Sequence, residues 1–455
     1  MKITVQEAVQ MCGGRLLCGD AESVITSVTT DSRTVCPGSL FVPIKGEKTD
    51  AHIYIPAVFA AGATAAFTQE NLPAPAAGAL IAVQDTSAAL QKLAAAYRRR
   101  YLGPVVGITG SVGKTTTKEM VALSLSARYR VMKTQGNQNS QIGVPLTMFQ
   151  LDESTEAAVV EMGMSQFGEM ARLARIAAPQ FAIMTNIGIS HIENLHSQEN
   201  IMREKLHITD GFTPESVLIL NGDDKMLATL RGKLPFHTEF VGTAPWCSYR
   251  AVQVTAQNGG MHFFLQHGQT LLPVAIPVLG MHQVTNALAA LAAADVLHIP
   301  LAEAAKALAA YKPLAMRQQI HKAAGMTVID DSYNASPDAV RGALDVLCSF
   351  PHRRVAVLAD MLELGTASQQ AHRACGRHAA QAGTDLVVTV GLQAREIAAG
   401  AREENPKLPC KSCSSNQEAI SYLKETLRPG DTILVKGSRG MHTDEIVSAI
   451  LTFSF

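Results

Sequence analysis

The chain has 455 residues, 47% hydrophobic and 17% charged, with Lys plus Arg and Asp plus Glu balanced at 39 each. This composition excludes a disordered chain, and the length exceeds what a single hydrophobic core usually serves, so three domains are expected. The absence of a basic excess argues against nucleic acid or anionic membranes as partners and leaves a small-molecule substrate.

At the N-terminus, MKITVQEAVQMCGG interrupts its apolar residues with Gln and Glu before a signal-peptide core could form, so no secretion signal is expected. The eight cysteines are scattered, without the dense spacing of a disulfide-stapled domain, which points to a reducing, cytoplasmic setting. The first hundred residues mix short patterns. After Arg98-Arg99-Arg100, the apolar run Val105 to Ile108 enters a glycine-rich turn and a helical pattern reaching about Arg128. A boundary near residue 103 follows, giving a first domain over 1–102.

The turn, Gly107 to Thr116, has the parts of a phosphate loop. Glycines let backbone N–H groups close around phosphate oxygens, and a helix start adds positive potential. Lys114 can pair with terminal phosphates, and the Thr115 hydroxyl can bind magnesium. Position 107 is one residue too early for a standard Walker loop, so the motif counts from Gly110 as a shortened G-x-x-G-K-T. The competing reading is a plain strand-to-helix turn.

The same βα rhythm continues in AAVVEMG and FAIMTNIG. Glu161 ends the first of these runs, which places its carboxylate at the C-terminal edge of a buried strand, where α/β sheets form ligand crevices. It is assigned to magnesium, against the alternative of a solvated strand end. Residues 236–278 read as hairpins. The apolar stretch from Asn286 to Tyr311 holds Asp295, His298, Glu303 and Lys306, costly within a bilayer, so it reads as two buried helices and no membrane insertion is expected. His282 and Asn286, four apart, share one helical face.

Tyr311-Lys312-Pro313 ends the alanine-rich pattern, because the residue before proline prefers extended chain. This sets a second domain at 103–312 and a third at 313–455. In the third, MTVID, a helix opening at Ser336-Pro337, RRVAVLAD, a helix through Gln369 to Ala380, LVVTVG and TILVKG alternate as in an open, mostly parallel sheet. Cys410 and Cys413 form a C-x-x-C in a segment that reads as a loop and lacks a second ligand pair for zinc.

Thr109 to Thr116 resembles the shortened T-G-[ST]-x-G-K-T-[ST] loop of the Mur ligase family. The resemblance continues in order through TDSRTVCPGSLFVPIKGEKTDAH (30–52), GNQNSQIGVP (136–145), EMGMSQFGE (161–169), TNIGISHIENL (185–195), ENIMREK (199–205), GMHQVTNALAALAAA (280–294), DDSYNASP (330–337) and KGSRGM (436–441). It implies an α/β fold of three domains: a small mixed α/β N-terminal domain for a UDP moiety, a central phosphate-loop ATPase domain and a Rossmann-like C-terminal domain. The D-D-x-Y-N-A-x-P and K-G-S-R-G-M segments are similar to the branch of the family that adds D-alanyl-D-alanine to UDP-N-acetylmuramoyl-tripeptide, and the D-N-P-R signature of the branch adding the third residue is absent. Departures from the family pattern are Ala51 in D-G-H, Ser140, Gln283 and Ser336 where Asn is common, and Ala359 where Gly is usual.

What the resemblance implies for single residues follows from these matches. ATP and Mg2+ are the expected cofactors, with Thr109, Gly110, Ser111, Gly113, Lys114, Thr115 and Thr116 around the phosphates and Thr115, Glu161, His191 and Lys205 at magnesium. His191 alone would be an ordinary loop histidine, and Lys205 alone a solvated surface lysine; the family pattern makes Lys205 a carbamylated lysine, an anion among magnesium ions. Asn286 is expected to read adenine, with capping or a structural role in the helix as the alternative. Arg317 and Asp331 are expected to reach the nucleotide, Asp331 at the ribose hydroxyls, although a strand-end Asp can also cap a turn. Ser32, Arg33, Asn137 and Asn139 match the positions for the UDP-linked peptide, and Tyr333, Asn334, Ser438 and Arg439 lie in the segments expected to meet the dipeptide. A monomer is expected. Other readings are a Mur-type or folylpolyglutamate-type ligase with a different amine, a phosphate-loop kinase or switch, and a nucleotide-binding module without turnover.

Overall fold

The strand Val105–Thr109 has all five residues buried and sits inside a nine-stranded sheet, hydrogen-bonded to Ala157–Glu161 on one side and Phe181–Met184 on the other. These positions come from a computed structural model that describes residues 1–46, 49–73, 75 and 77–454. Glu47 and Lys48, within the 30–52 segment, lie outside the described residues. Along the sheet the chain runs from Val105–Thr109 out to Val131–Lys133, back to Ala157–Glu161, and then to the opposite side at Phe181–Met184. That reversal of direction opens a crevice at the carboxyl ends of the strands. Glu161 pairs in register with Ile108, and Met184 with Thr109, so the segments after both neighbours emerge beside the phosphate loop.

Besides a two-stranded pairing of Ile3–Thr4 with Val24–Ile25, two larger sheets lie before and after it in the chain. A five-stranded sheet is built from strands within residues 15–82, parallel except for the antiparallel pair Arg15–Cys18 and Ala79–Ala82. A six-stranded sheet uses strands within residues 319–436, parallel except for its edge pair Gln319–Ala323 and Met326–Asp330. The apolar runs on these parallel strands are continuous because helices cover both faces.

Residues 236–278 depart from the hairpin expectation at their start. His237–Gly242 pairs parallel to Val217–Asn221, because Phe240 and Val241 are buried as a continuation of the central sheet; the antiparallel meander starts with Tyr249–Gln257. In the Asn286 to Tyr311 stretch, the helix Met281–Val296 is buried over most of its length against the helix Lys114–Leu125, where alanine side chains permit close approach. The following helix Leu301–Leu308 is only half-buried, which corrects the expectation of two buried helices: Ala304, Ala305 and Leu308 face inward while Glu303 pairs with Arg128. The C-x-x-C segment is an edge strand, Cys410–Cys413, rather than a loop, held parallel to Leu386–Val390. Three residues apart on a strand, its thiols point to opposite faces and are both free.

The N-terminal sheet is tied to the central one by the helix Thr86–Arg98. Arg98 is 4% exposed, and its guanidinium donates to the carbonyls of Tyr101, Ala177 and Ala178. Such a charge is tolerated in the interior only when its donors find acceptors. Among the described residues no helix is long and apolar enough to cross a membrane.

Candidate active site

The phosphate loop is shaped by two glycines. Gly110 has φ +149°, and a Cβ there would come within 1.9 Å of the Thr185 hydroxyl; Gly113 has φ +86° and precedes the helix Lys114–Leu125. No side chain caps that helix, so the N–H groups of its first turn face the crevice and the helix start favours an anion. Asn186, emerging after the strand Phe181–Met184, fixes the loop from below. Its Oδ1 accepts from the backbone N–H of Ser111 at 3.1 Å and Val112 at 2.8 Å. Ser111 Oγ in turn accepts from Gly188 N–H at 2.9 Å.

Lys114 folds back so that Nζ donates to Gly110 O at 2.8 Å. It sits deep in the crevice, and burial, reinforced by Arg317 and opposed by Glu161, holds its pKa below the ordinary lysine value. Glu161 is 1% exposed. Its Oε1 accepts from Asn139 Nδ2 at 2.7 Å and from the Thr115 hydroxyl at 3.2 Å, while Oε2 is buried with no hydrogen bond and has Lys118 Nζ at 3.7 Å. A free carboxylate oxygen beside a threonine hydroxyl is the hard-oxygen set that suits magnesium.

His191 lines the same cleft, and Lys205 is buried near enough for its charge to act on His191. His191 precedes the short helix Ile192–Leu195 with φ +61°, and burial lowers its pKa, opposed by the Glu363 carboxylate and reinforced by Lys205 and Lys114. Lys205, on the helix Gln198–Leu206, is 2% exposed rather than solvated. The carboxylate next to it, Glu204, is used elsewhere, accepting from Met170 N–H at 3.0 Å. Burial first, then Lys114, pushes the Lys205 pKa well down. A buried amine that sheds its proton can react with carbon dioxide.

The opposite wall comes from the Met281–Val296 helix and the C-terminal sheet. A buried amide chain links them. Thr117 Oγ1 donates to Asn286 Oδ1 at 3.1 Å, Asn286 Nδ2 to Gln283 Oε1 at 3.2 Å and Gln283 Nε2 to Gln318 Oε1 at 3.0 Å, while Gln318 N–H donates to Asp331 Oδ1 at 3.1 Å. His282 approaches the same Gln318 oxygen at 3.2 Å, and burial lowers its pKa. Asp331 Oδ2 is ion-paired to Lys436, which also donates to Asn334 O. The Arg317 guanidinium stacks 4.0 Å from the Tyr333 ring centroid, and Arg439 lies 6.0 Å from it.

These walls enclose a cleft of about 670 Å³. Ser111, Gly113, Lys114, Thr115, Thr116, Asn137, Asn139, Glu161, His191, Asn286, Arg317, Asp331, Tyr333 and Asn334 all line it. Thr109 is buried at the end of its strand, Gly110 contributes its carbonyl to Lys114, and Lys205 is buried without lining the cleft. Ser438 is buried with its hydroxyl accepting from Leu362 N–H, and Arg439 is exposed and paired to Asp444. Ser32 and Arg33 form a surface turn outside the cleft; Arg33 pairs with Asp31, whose carboxyl it lowers to about 2.

Asn186, Gln318, Lys118 and Lys436 were not assigned roles from sequence. Lys436 carried a usable signal, since it ends the apolar run TILVK as Glu161 ends AAVVE. Asn186 and Gln318 sit in irregular segments whose partners are distant in the chain. A separate trio, Asp50, His52 and Glu70, brings together metal-ligating side chains. Both nitrogens of His52 are already engaged, Nδ1 with Asp50 at 2.6 Å and Nε2 by Gln69 N–H at 3.3 Å.

Comparison with known proteins agrees along the chain. Residues 24–98 match the family described as Mur ligase family, catalytic domain; residues 108–294 match Mur ligase middle domain; residues 316–439 match Mur ligase, glutamate ligase domain. A UDP-N-acetylmuramoyl-tripeptide--D-alanyl-D-alanine ligase of Bacillus subtilis is 38% identical over 456 residues, covering 99% of both chains. Among solved structures, a MurF crystal structure from Acinetobacter baumannii superposes with TM-score 0.93 at 29% identity over 99% of each chain. A MurF ligase from Thermotoga maritima in complex with ADP gives TM-score 0.84 at 27% identity over 93% of this chain and 96% of that one.

Proposed function

This chain belongs to the Mur ligase family, and from that premise we propose that it is the ATP-dependent ligase that joins D-alanyl-D-alanine to UDP-N-acetylmuramoyl-tripeptide in peptidoglycan precursor synthesis, acting as a cytoplasmic monomer. Its domains span 1–102 for the UDP-linked substrate, 103–312 for ATP and 313–455 for closure and the dipeptide. The observation that carries this reading is the Thr115, Glu161 and Asn139 cluster beside the phosphate loop, facing Asp331 and Arg317 across one cleft.

The tripeptide carboxylate is a poor electrophile and has a poor leaving group, so it is first activated. One carboxylate oxygen attacks the γ-phosphorus of ATP, the bond to the bridging oxygen breaks, and ADP leaves with that electron pair. The dipeptide amine then adds to the acyl carbon of the acyl phosphate. The tetrahedral species expels inorganic phosphate, and the surplus amine proton passes to solvent. The protein's contribution to the first step is positioning and charge neutralisation.

Lys114, released from Gly110 O, pairs with the transferring phosphoryl group, while the loop amides held by Asn186 and the uncapped helix start hold the phosphates. Thr115, Glu161 and His191 would hold magnesium, together with Lys205 if its amine is carboxylated by carbon dioxide with loss of a proton to water. Bound magnesium offsets the negative charge shared by the phosphates. In this reading Asn286 reads adenine, Asp331 accepts from the ribose hydroxyls and Arg317 meets phosphate. Ser32, Arg33, Asn137 and Asn139 serve the UDP-linked peptide, and Tyr333, Asn334, Ser438 and Arg439 the dipeptide.

Phosphate release measured with ATP, UDP-linked muramoyl tripeptide and a panel of amines tests the assignment. D-Ala-D-Ala is expected to stimulate release far more than D-Ala, L-Ala or glutamate. Preference for glutamate would move the chain to a folylpolyglutamate-type activity, and turnover without any amine would indicate a kinase or switch.

A further inference from the structure

His191, which lines the cleft, meets a residue that no step above uses. Glu363 Oε2 lies 2.6 Å from His191 Nδ1. The contact is off the line of a good hydrogen bond, and Nδ1 has no other partner, so a small side-chain rotation completes it. Both residues hold left-handed backbone, φ +61° at His191 and +62° at Glu363; histidine, like Asn and Asp, visits this region more readily than other side chains, so the conformation is the unusual one at Glu363.

The segment carrying Glu363 is pinned on both sides. Met361 N–H donates to the buried His372 Nε2 at 3.0 Å, Leu362 N–H donates to Ser438 Oγ at 2.9 Å, and Leu364 is buried. Gly365 then lies so close to the helix Ile192–Leu195 that an added Cβ would be 3.3 Å from the Glu193 Cβ. Exposed itself, Glu363 is held against the central domain by buried neighbours. On the facing side, His191 O accepts from the N–H groups of Asn194 and Leu195, which fixes the imidazole's origin.

We propose that Glu363 is a positioning residue for His191. Its carboxylate keeps the proton on Nδ1, turns the Nε2 lone pair toward the phosphate site, and so completes the divalent-cation site only when the C-terminal domain is docked. A ligating histidine needs its second nitrogen protonated and oriented, and a carboxylate at that nitrogen raises its basicity as a ligand. Because this carboxylate comes from the opposite domain, cation binding and docking favour each other. The proposal rests on the reading of His191 as a cation ligand.

The test uses the full chain with ADP and Mn2+, with bound manganese read by electron paramagnetic resonance. Glu363→Gln and Glu363→Gly, the second retaining the left-handed backbone, should each weaken Mn2+ binding about tenfold, and Glu363→Asp should recover part of it. In a His191→Ala background the same changes should add less than twofold. In the metal-free protein, nitrogen-15 shifts of labelled histidine should show His191 protonated at Nδ1, and Glu363→Gly should mix the tautomers. Unchanged Mn2+ affinity in the Glu363 variants, with a loss in His191→Ala, would overturn the proposal and leave His191 as a ligand. Full additivity in the double variant would overturn it too, since Glu363 would then act without His191. No loss in His191→Ala would remove both readings together.

Discussion

Asn139 Nδ2 donates to Glu161 Oε1 at 2.7 Å, and the same oxygen takes the Thr115 hydroxyl, so one carboxylate oxygen is held by two groups while the other makes no hydrogen bond and has Lys118 Nζ at 3.7 Å. Asn139→Ala should let the carboxylate rotate and dilute its orientation toward the cation. Magnesium titrations of phosphate release should show the half-saturating magnesium raised roughly tenfold, with the ATP requirement less affected; an unchanged magnesium requirement would exclude this role for Asn139.

Lys114 has its ammonium on the loop carbonyls and deep in the cleft. Lys114→Ala removes a charge from the transferring phosphoryl group without burying a new polar atom. Phosphate release should fall by at least about 10²–10³-fold, while the thermal midpoint stays close to that of the parent protein. Undiminished turnover would refute the ATPase role.

Lys205 makes a pH prediction whose sign follows from its depressed pKa. The unfolded chain binds a proton there up to about the ordinary value of 10.5, whereas the folded chain gives it up at lower pH. Between those limits the unfolded state holds more protons, so stability should rise with pH across that window and be lost again as pH falls through the folded pKa. Urea denaturation in carbon dioxide-free buffer at two pH values within the window should show this slope in the parent chain and a smaller one in Lys205→Met. Lys205→Ala should also be nearly inactive, and removal of dissolved carbon dioxide should slow the parent enzyme. Carbon-13 signal from a carboxylated side chain would identify the carbamate directly.

Lys436 is 3% exposed and bonds both Asp331 and Asn334 O. Lys436→Met strands a carboxylate at the wall of the cleft. We expect a loss of about 1.5–3 kcal/mol in denaturant unfolding, together with a higher KM for ATP; a stability loss with an unchanged KM would make the pair purely structural.

Much of the cleft was legible because its parts are local. The turn from Gly110 to Thr116 carries its glycines, lysine and threonine within seven residues, and Glu161 stands where an apolar run meets a charge. The alanine-rich apolar run of Met281–Val296, buried almost all round, was equally readable as a core helix. Illegible parts depend on distance. Nothing in the neighbourhood of Gln318 says that it will bridge Gln283 to Asp331, and nothing near Glu363 says that it will face His191, since those partners are brought together only by docking of separate sheets. His237–Gly242 was misread because a parallel strand with a short connection to the next strand has the outward look of a hairpin arm.

Arg98 gives the chain a schedule during its own synthesis. Two of its acceptors, the carbonyls of Ala177 and Ala178, are made about 80 residues later, roughly 4–16 s at ordinary elongation rates. The strands of the first sheet can pair as soon as they emerge, but the helix that ends in Arg98 must hold a guanidinium and the apolar side chains of Leu93 and Ala94 without their final cover until then. The nascent chain therefore offers chaperones a defined interval and a defined helix. A ribosome stalled just before residue 177 should display that helix to proteases, and one stalled after the central sheet has emerged should hide it.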